Sequence, residues 1–266
     1  MLEKYQKVTG NTLKIIACLT MLIDHIGAGI MIPWAAKGII PKHMTLEQLN
    51  NIYYTMRCVG RWAFPIFCFL LVEGFIYTRS RLRYAISLFV FAIISEIPFD
   101  ILFHSKYELL NLNIREVISA NQEYYNQQCN VYFTLFFGLI TIWAIDRCYR
   151  LFREKNIHFY FNALTILLFT GLSCFITFKM NSDYDFRGIL LIVIFYLLRN
   201  FPYLNLLAGF ICISSTSIEF MAWPAFLLMV LYNHKRGKKI GNFKYFFYAF
   251  YPLHLTALFI YRCLMY

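Results

Sequence analysis

Apolar runs of about twenty residues, separated by short polar segments, recur along the whole of this 266-residue chain. A helix of that length crosses the ~30 Å hydrocarbon core of a bilayer. Runs this long lack the two-residue alternation of a membrane barrel. Apolar length and punctuation predict nine spans, near residues 13–33, 52–77, 84–104, 130–149, 159–179, 187–199, 202–215, 218–232 and 245–264, of which the sixth and seventh are short. The expected fold class is therefore all-α, a polytopic membrane helix bundle. With no soluble domain, low-complexity tract or clear repeat, residues 1–266 are read as one integral-membrane domain.

The polar segments orient the bundle. Lys4 and Lys7 precede the first span; Arg79, Arg81 and Arg83 follow the second; Arg147, Arg150, Arg153 and Lys155 follow the fourth. Arg199 ends the sixth, and Lys235, Arg236, Lys238, Lys239 and Lys244 precede the last. Nine alternating spans put all five groups on one side, so the positive-inside rule predicts a cytoplasmic N-terminus and an external C-terminus. The longest loop, 105–129, rich in Asn, Gln, Glu and Tyr, is then external. The first run is too long for a typical signal-peptide core and is interrupted by Asp24, so it reads as a retained signal-anchor.

Composition agrees. Hydrophobic residues make up 60% and charged residues only 15%, where a soluble domain carries about a quarter charged residues. The net charge of +11 is accounted for by the basic loops, which argues against a nucleic-acid partner, as does the spread of aromatics over lipid-length helices. The eight cysteines show neither a C-x-x-C pair nor metal spacing and read as small apolar fillers.

Candidate chemistry lies in the charges inside the spans. Asp24-His25 sits in the first, Arg57 and Arg61 one turn apart in the second, and Glu73 deeper in that helix. Glu96 and Asp100 flank Pro98 in the third, Asp185 precedes the sixth, and His254 follows Pro252 in the last. Lys14 and His25 are eleven positions apart, which returns them to within roughly 20° of one face, about 16 Å apart along the axis. Singly, each group has a structural role to fill. Arg61 has Asp24 or Glu96 to pair with, Glu73 has the basic turn at Arg79, Arg57 can snorkel, and His254 can pack between helices. As a set, with His25, Arg57, Arg61, Glu96, Asp100 and Asp185 in the outer half, they exceed what packing requires and predict a functional cavity.

Several chemistries fit poorly. No two histidines share an i, i+4 face and no H-E-x-x-H occurs, so no metal is expected. No G-x-S-x-G elbow supports a serine hydrolase. An intramembrane aspartyl protease would need facing aspartates; Asp24 and Asp100 could serve, without a glycine-flanked motif. A proton-coupled transporter using the Asp/Arg/His cluster is the alternative function.

Seven blocks resemble, in order, the TraX family of bacterial membrane proteins. They are LKIIACLTMLIDHIGAG from Leu13, VGRWAFPIFCFLLVEGFIYT from Val59, AIISEIPFD from Ala92 and NVYFTLFFGL from Asn130. Further on come DYDFRGILLIVIFY from Asp183, LYNHKRG from Leu231 and YFFYAFYPLHL from Tyr245. TraX is associated with N-terminal acetylation of conjugative pilin, and the family is similar to integral-membrane acyltransferases. That broader group carries a basic residue, ten intervening positions and a histidine in its first helix, a pattern matched by Lys14 and His25. The resemblance implies a transmembrane acyltransferase in the bacterial cytoplasmic membrane. Acetyl-CoA would be the cytoplasmic acyl donor, and the acceptor an amine or hydroxyl of an extracytoplasmic peptide, pilin-like protein or glycan.

The residue pattern offers places for these reactants. Lys14 suits a phosphate of the donor, with Glu73 assigned to the same side. His25 is the expected general base, Arg61 the oxyanion or carboxylate partner, and Asp24 and Glu96 complete the catalytic set. Arg57, Asp100, Asp185 and His254 are assigned to the acceptor. Adjacent helix residues point about 100° apart, so Asp24 is expected to hold Arg61 and not to orient His25.

Overall fold

The computed structural model describes residues 6–38, 44–105, 114–125, 127–155, 158–215, 218–237 and 243–264. All regular structure among them is helical: α1 (Gly10–Ile26), α2 (Ile32–Ala36), α3 (Leu46–Gly60), α4 (Ala63–Tyr77), α5 (Arg81–Phe103) and α6 (Ile114–Ala120) are followed by α7 (Val131–Glu154), α8 (Phe159–Lys179), α9 (Asp185–Leu197), α10 (Pro202–Ile213), α11 (Trp223–Val230) and α12 (Phe243–Leu264). A wide π turn, Gly27–Met31, joins α1 to α2, and a 3-10 turn, Glu219–Ala222, leads into α11. Five stretches are long and apolar enough to cross a membrane: Gly10–Ala36, Leu46–Tyr77, Arg81–Phe103, Val131–Glu154 and Tyr160–Lys179. The nine predicted runs each find a helix, within a few residues at either end. The protein is a helical membrane protein in a lipid bilayer.

Pro65 interrupts the second span one turn before itself. A proline ring clashes with the carbonyl four residues back, which is that of Arg61, and Arg61-Trp62 is where α3 gives way to α4. Pro65 itself stands third in α4, where its missing N–H costs nothing. Pro33 acts likewise on Gly29, just inside the wide turn. The seventh and eighth runs are short helices, Pro202–Ile213 and Glu219–Val230, each about 18 Å long against a ~30 Å core.

The chain divides into two compact units, residues 1–67, 94–127 and 214–266, and residues 68–93 and 128–213. In the first, the N-terminal strap runs along the loop before α12. Val8 N–H donates to Leu231 O at 3.0 Å, Asn233 N–H to Val8 O at 2.9 Å and Gly10 N–H to Lys235 O at 2.9 Å. The basic loop at 235–236 therefore stands at the entrance of α1. Helices α1 and α3 touch closely: a Cβ at Gly60 would collide with the Asp24 carboxylate.

In the second unit α7, α8 and α9 pack around one another, and Gly138 admits Ile192 where any Cβ would meet it. Hydroxyls bind across the packing, Thr141 of α7 to Ser173 of α8 at 2.6 Å and Thr134 of α7 to Ser182 in the turn before α9 at 3.0 Å. One end of this unit joins Cys129 to the 181–183 turn. The other joins Arg81, Asp146, Arg150 and Tyr196. In each unit, the ends that meet are those that nine alternating spans place on the same side.

Candidate functional site

His25 ends α1 just before the wide turn, and its ring lies against Phe103 of α5 and Tyr251 of α12 at centroid distances of 5.2 and 5.9 Å. Its Nδ1 is 2.7 Å from Nε2 of His254. His254 Nδ1 is in turn 2.7 Å from the carbonyl oxygen of Phe250, one turn back on α12. A carbonyl only accepts, so His254 carries its proton on Nδ1 and its Nε2 accepts. His25 must then donate from Nδ1. The chain of bonds fixes both tautomers and leaves the lone pair on His25 Nε2, for which no partner occurs among the described residues.

Beside this pair is a cluster of four charges. Asp24 is buried and takes Arg57 Nη1 on Oδ2 at 2.7 Å and Arg61 Nη2 on Oδ1 at 3.1 Å. Arg61 Nη1 reaches Glu219 Oε1 at 2.9 Å. Two cations and two anions balance, which is what makes charge at this depth tolerable. The cluster is pinned by Trp62, whose indole N–H donates to Met221 O at 3.0 Å. Glu219 Oε2 is buried with no hydrogen-bond partner among the described residues. Arg57 spends one nitrogen on Asp24, its remaining donors have no partner among the described residues, and about a fifth of its side chain is exposed. Both guanidiniums lie within Coulombic range of His25.

A third cation supports the site from behind. Arg262 is 1% exposed, and its guanidinium donates to the carbonyls of Gly29 (2.9 Å), Leu102 (2.8 Å) and Ile101 (3.3 Å). Each acceptor has lost its backbone donor: Gly29 to Pro33 and the wide turn, the other two to the end of α5. Arg262 thus ties together the segment after His25, the end of α5 and α12.

At the other end of α1, the Lys14 ammonium lies 5.4 Å from the Phe247 ring centroid and within Coulombic range of Arg236. No carboxylate pairs with it among the described residues.

The remaining predicted residues are dispersed. Glu96 is half-buried on α5, and Asp100, buried one turn on, lies 3.2 Å from His104 Nδ1. Glu73 and Asp185 belong to the second unit, where Asp185 caps the start of α9 by accepting the Arg187 backbone N–H at 3.1 Å. Sequence reasoning passed over Glu219, Arg262 and Asp146. Glu219 and Arg262 stand at the edges of apolar runs, where charge is ordinary; Asp146 lies inside one, four residues before Arg150, and that spacing was a usable signal. Among the described residues no three His, Cys, Asp or Glu side chains gather as a metal site would require.

The sequence matches the family described as TraX protein over residues 9–262. The chain belongs to the TraX family. The match takes in every site residue above, from Lys14 to Arg262. A curated relative, the probable fimbrial assembly protein FimC, serogroup H1, of Dichelobacter nodosus, is 28% identical over 258 residues, covering 92% of each chain. No solved structure matches.

Proposed function

We propose that this protein is a transmembrane acyltransferase of the bacterial cytoplasmic membrane. In this reading it moves an acetyl group from cytoplasmic acetyl-CoA to an amine or hydroxyl on the outer side, on a pilin-like protein, another peptide or a glycan. The fimbrial role in the relative's name and the family's link to pilin acetylation favour a pilin-like acceptor. The observation that carries the reading is the His25–His254–Phe250 chain, which supplies an oriented base at depth in the membrane.

The donor's phosphates rest against Lys14 and the basic loop at 235–236, and the extended arm carries the thioester toward His25. His25 Nε2 takes the proton of the acceptor as its nitrogen or oxygen bonds to the thioester carbon. The carbonyl π electrons move to oxygen, toward the spare donors of Arg57. Collapse breaks the C–S bond, and the thiolate leaves with the proton held on His25 Nε2, giving free coenzyme A and the acetylated acceptor. Throughout, His254 Nε2 accepts from His25 Nδ1–H, which holds the ring and stabilises the imidazolium. Arg61, engaged by Asp24 and Glu219, is read as the keystone of the cluster and not as the oxyanion partner.

The test is mass spectrometry of secreted peptides, pili and surface glycans from cells carrying the wild-type protein or His25→Ala. Loss of a general base costs about 10²–10⁴-fold, so a modification of one acetyl group should vanish while the variant still inserts in the membrane. Persistence of that mass in the variant overturns the histidine-base mechanism. Movement of protons or solute in sealed vesicles without an acyl donor would instead establish a transporter.

A further inference from the structure

The second unit carries a cavity of about 270 Å³ between the ends of α7, α8 and α9, which the acyl-transfer reading does not use. Ile145, Ile166 and Leu197 give it apolar lining. Tyr149, Asn162, Asn200 and Arg199 give it polar lining. The side chains of Tyr149, Asn162 and Asn200 make no hydrogen bond among the described residues. Arg199 is placed for use: its guanidinium lies 4.3 Å from the Tyr196 ring centroid and is tethered by one nitrogen to Tyr196 O at 2.7 Å. Its other donors have no hydrogen-bond partner among the described residues.

Charge and depth narrow the ligand. Behind the cavity the Asp146 carboxylate is taken by Arg81, Arg150 and the Tyr196 hydroxyl; with Arg199 that sets three arginines against one carboxylate, and the site is net positive. It lies where α7 ends and α8 begins, next to the basic 147–155 segment that the positive-inside rule assigns to the cytoplasm. Helix α8, which supplies Asn162 and Ile166, exposes Leu164, Leu167, Leu168 and Leu172 on its outer surface, as a lipid-facing helix does. A basic pocket at the cytoplasmic surface, lined by both hydrogen-bond donors and apolar side chains, suits a lipid phosphate and its glycerol more than a free nucleotide.

We propose that this cavity binds the headgroup of an anionic phospholipid of the cytoplasmic leaflet. Arg199 takes the phosphate, and the Asn162 and Asn200 amides and the Tyr149 hydroxyl take the remaining oxygens.

The test is native mass spectrometry of the purified full chain in neutral detergent, titrated separately with phosphatidylglycerol, phosphatidylcholine and coenzyme A. Wild type should retain phosphatidylglycerol over phosphatidylcholine. Arg199→Gln should lower phosphatidylglycerol retention about tenfold, the worth of one charge-assisted hydrogen bond. Asn162→Leu, on a different helix, should lower it about threefold, and carries the test if Arg199→Gln does not fold. Equal retention of the two lipids, or unchanged retention in folded variants, overturns the proposal. So does displacement of phosphatidylglycerol by coenzyme A, which would give the cavity to the nucleotide end of the acyl donor.

Discussion

Among the described residues five prolines, Pro33, Pro65, Pro98, Pro224 and Pro252, fall in the first unit, and the second has only Pro202, at the start of α10. The first unit accordingly has interrupted helices: a wide turn after His25, a break at Arg61 and a 3-10 entry at Glu219. Each interruption frees a backbone group or swings a charge inward, and side chains answer it, as Arg262 does for Gly29. The second unit keeps α7 and α8 unbroken, joins them by hydroxyl pairs and close packing, and holds its main ion cluster near the helix ends. Broken helices carry polar chemistry into the membrane. The unbroken helices α7 and α8 of the second unit hold their ion cluster toward the rim.

The sharpest way to break this contrast is to remove one carboxylate from each ion cluster. Asp24→Ala strands Arg57 beside Arg61, and stability should fall by about 3–5 kcal/mol, read as thermal unfolding in detergent. Asp146→Ala should cost less, because Arg150 is largely exposed and its charge finds water. Equal losses would show that the interrupted helices confer no special depth on the first cluster.

A second comparison sets orientation against support within the first unit. His254→Ala removes the acceptor that holds His25, and acetyl transfer should drop about 100-fold, about 2.7 kcal/mol in the barrier. His254→Gln, whose amide oxygen can accept from Nδ1–H, should recover part of it, and both should move the acid limb of the pH–rate profile. Arg262→Met should instead lower stability by about 2 kcal/mol through carbonyls left without donors, with the pH profile in place. A profile unmoved by His254→Gln would reduce His254 to a packing residue. The smallest expected effect is in the second unit: Thr141→Val loses one interhelical hydroxyl bond, about 0.6 kcal/mol in the same unfolding assay.

Much of the fold could be read from periodicity and length, because lipid imposes a minimum helix length and excludes unpaired backbone. The basic loops gave the alternation of ends for a similar reason, since charge outside the membrane is sorted by side and needs no partner. The expectation that Asp24 would hold Arg61 came from helix geometry, and both ions are found together with Arg57. The pairing of His25 with His254 was out of reach, because 229 positions separate them and nothing local in α12 points to α1. Asp100 and Asp185 share a predicted depth with the cluster, yet their bonds to His104 and Arg187 are local.

The sequence alone determined that this chain is a helical membrane protein, which stretches form its helices, which ends lie together within each unit and which family's pattern it carries. Those properties follow from transfer free energies and helical repeat, which act on each segment independently. Tertiary structure decided which charges neutralise one another, which ring nitrogen of His25 stays unprotonated and where the second unit leaves a basic cavity. These depend on side chains meeting across helices distant in sequence, and only packing fixes such distances.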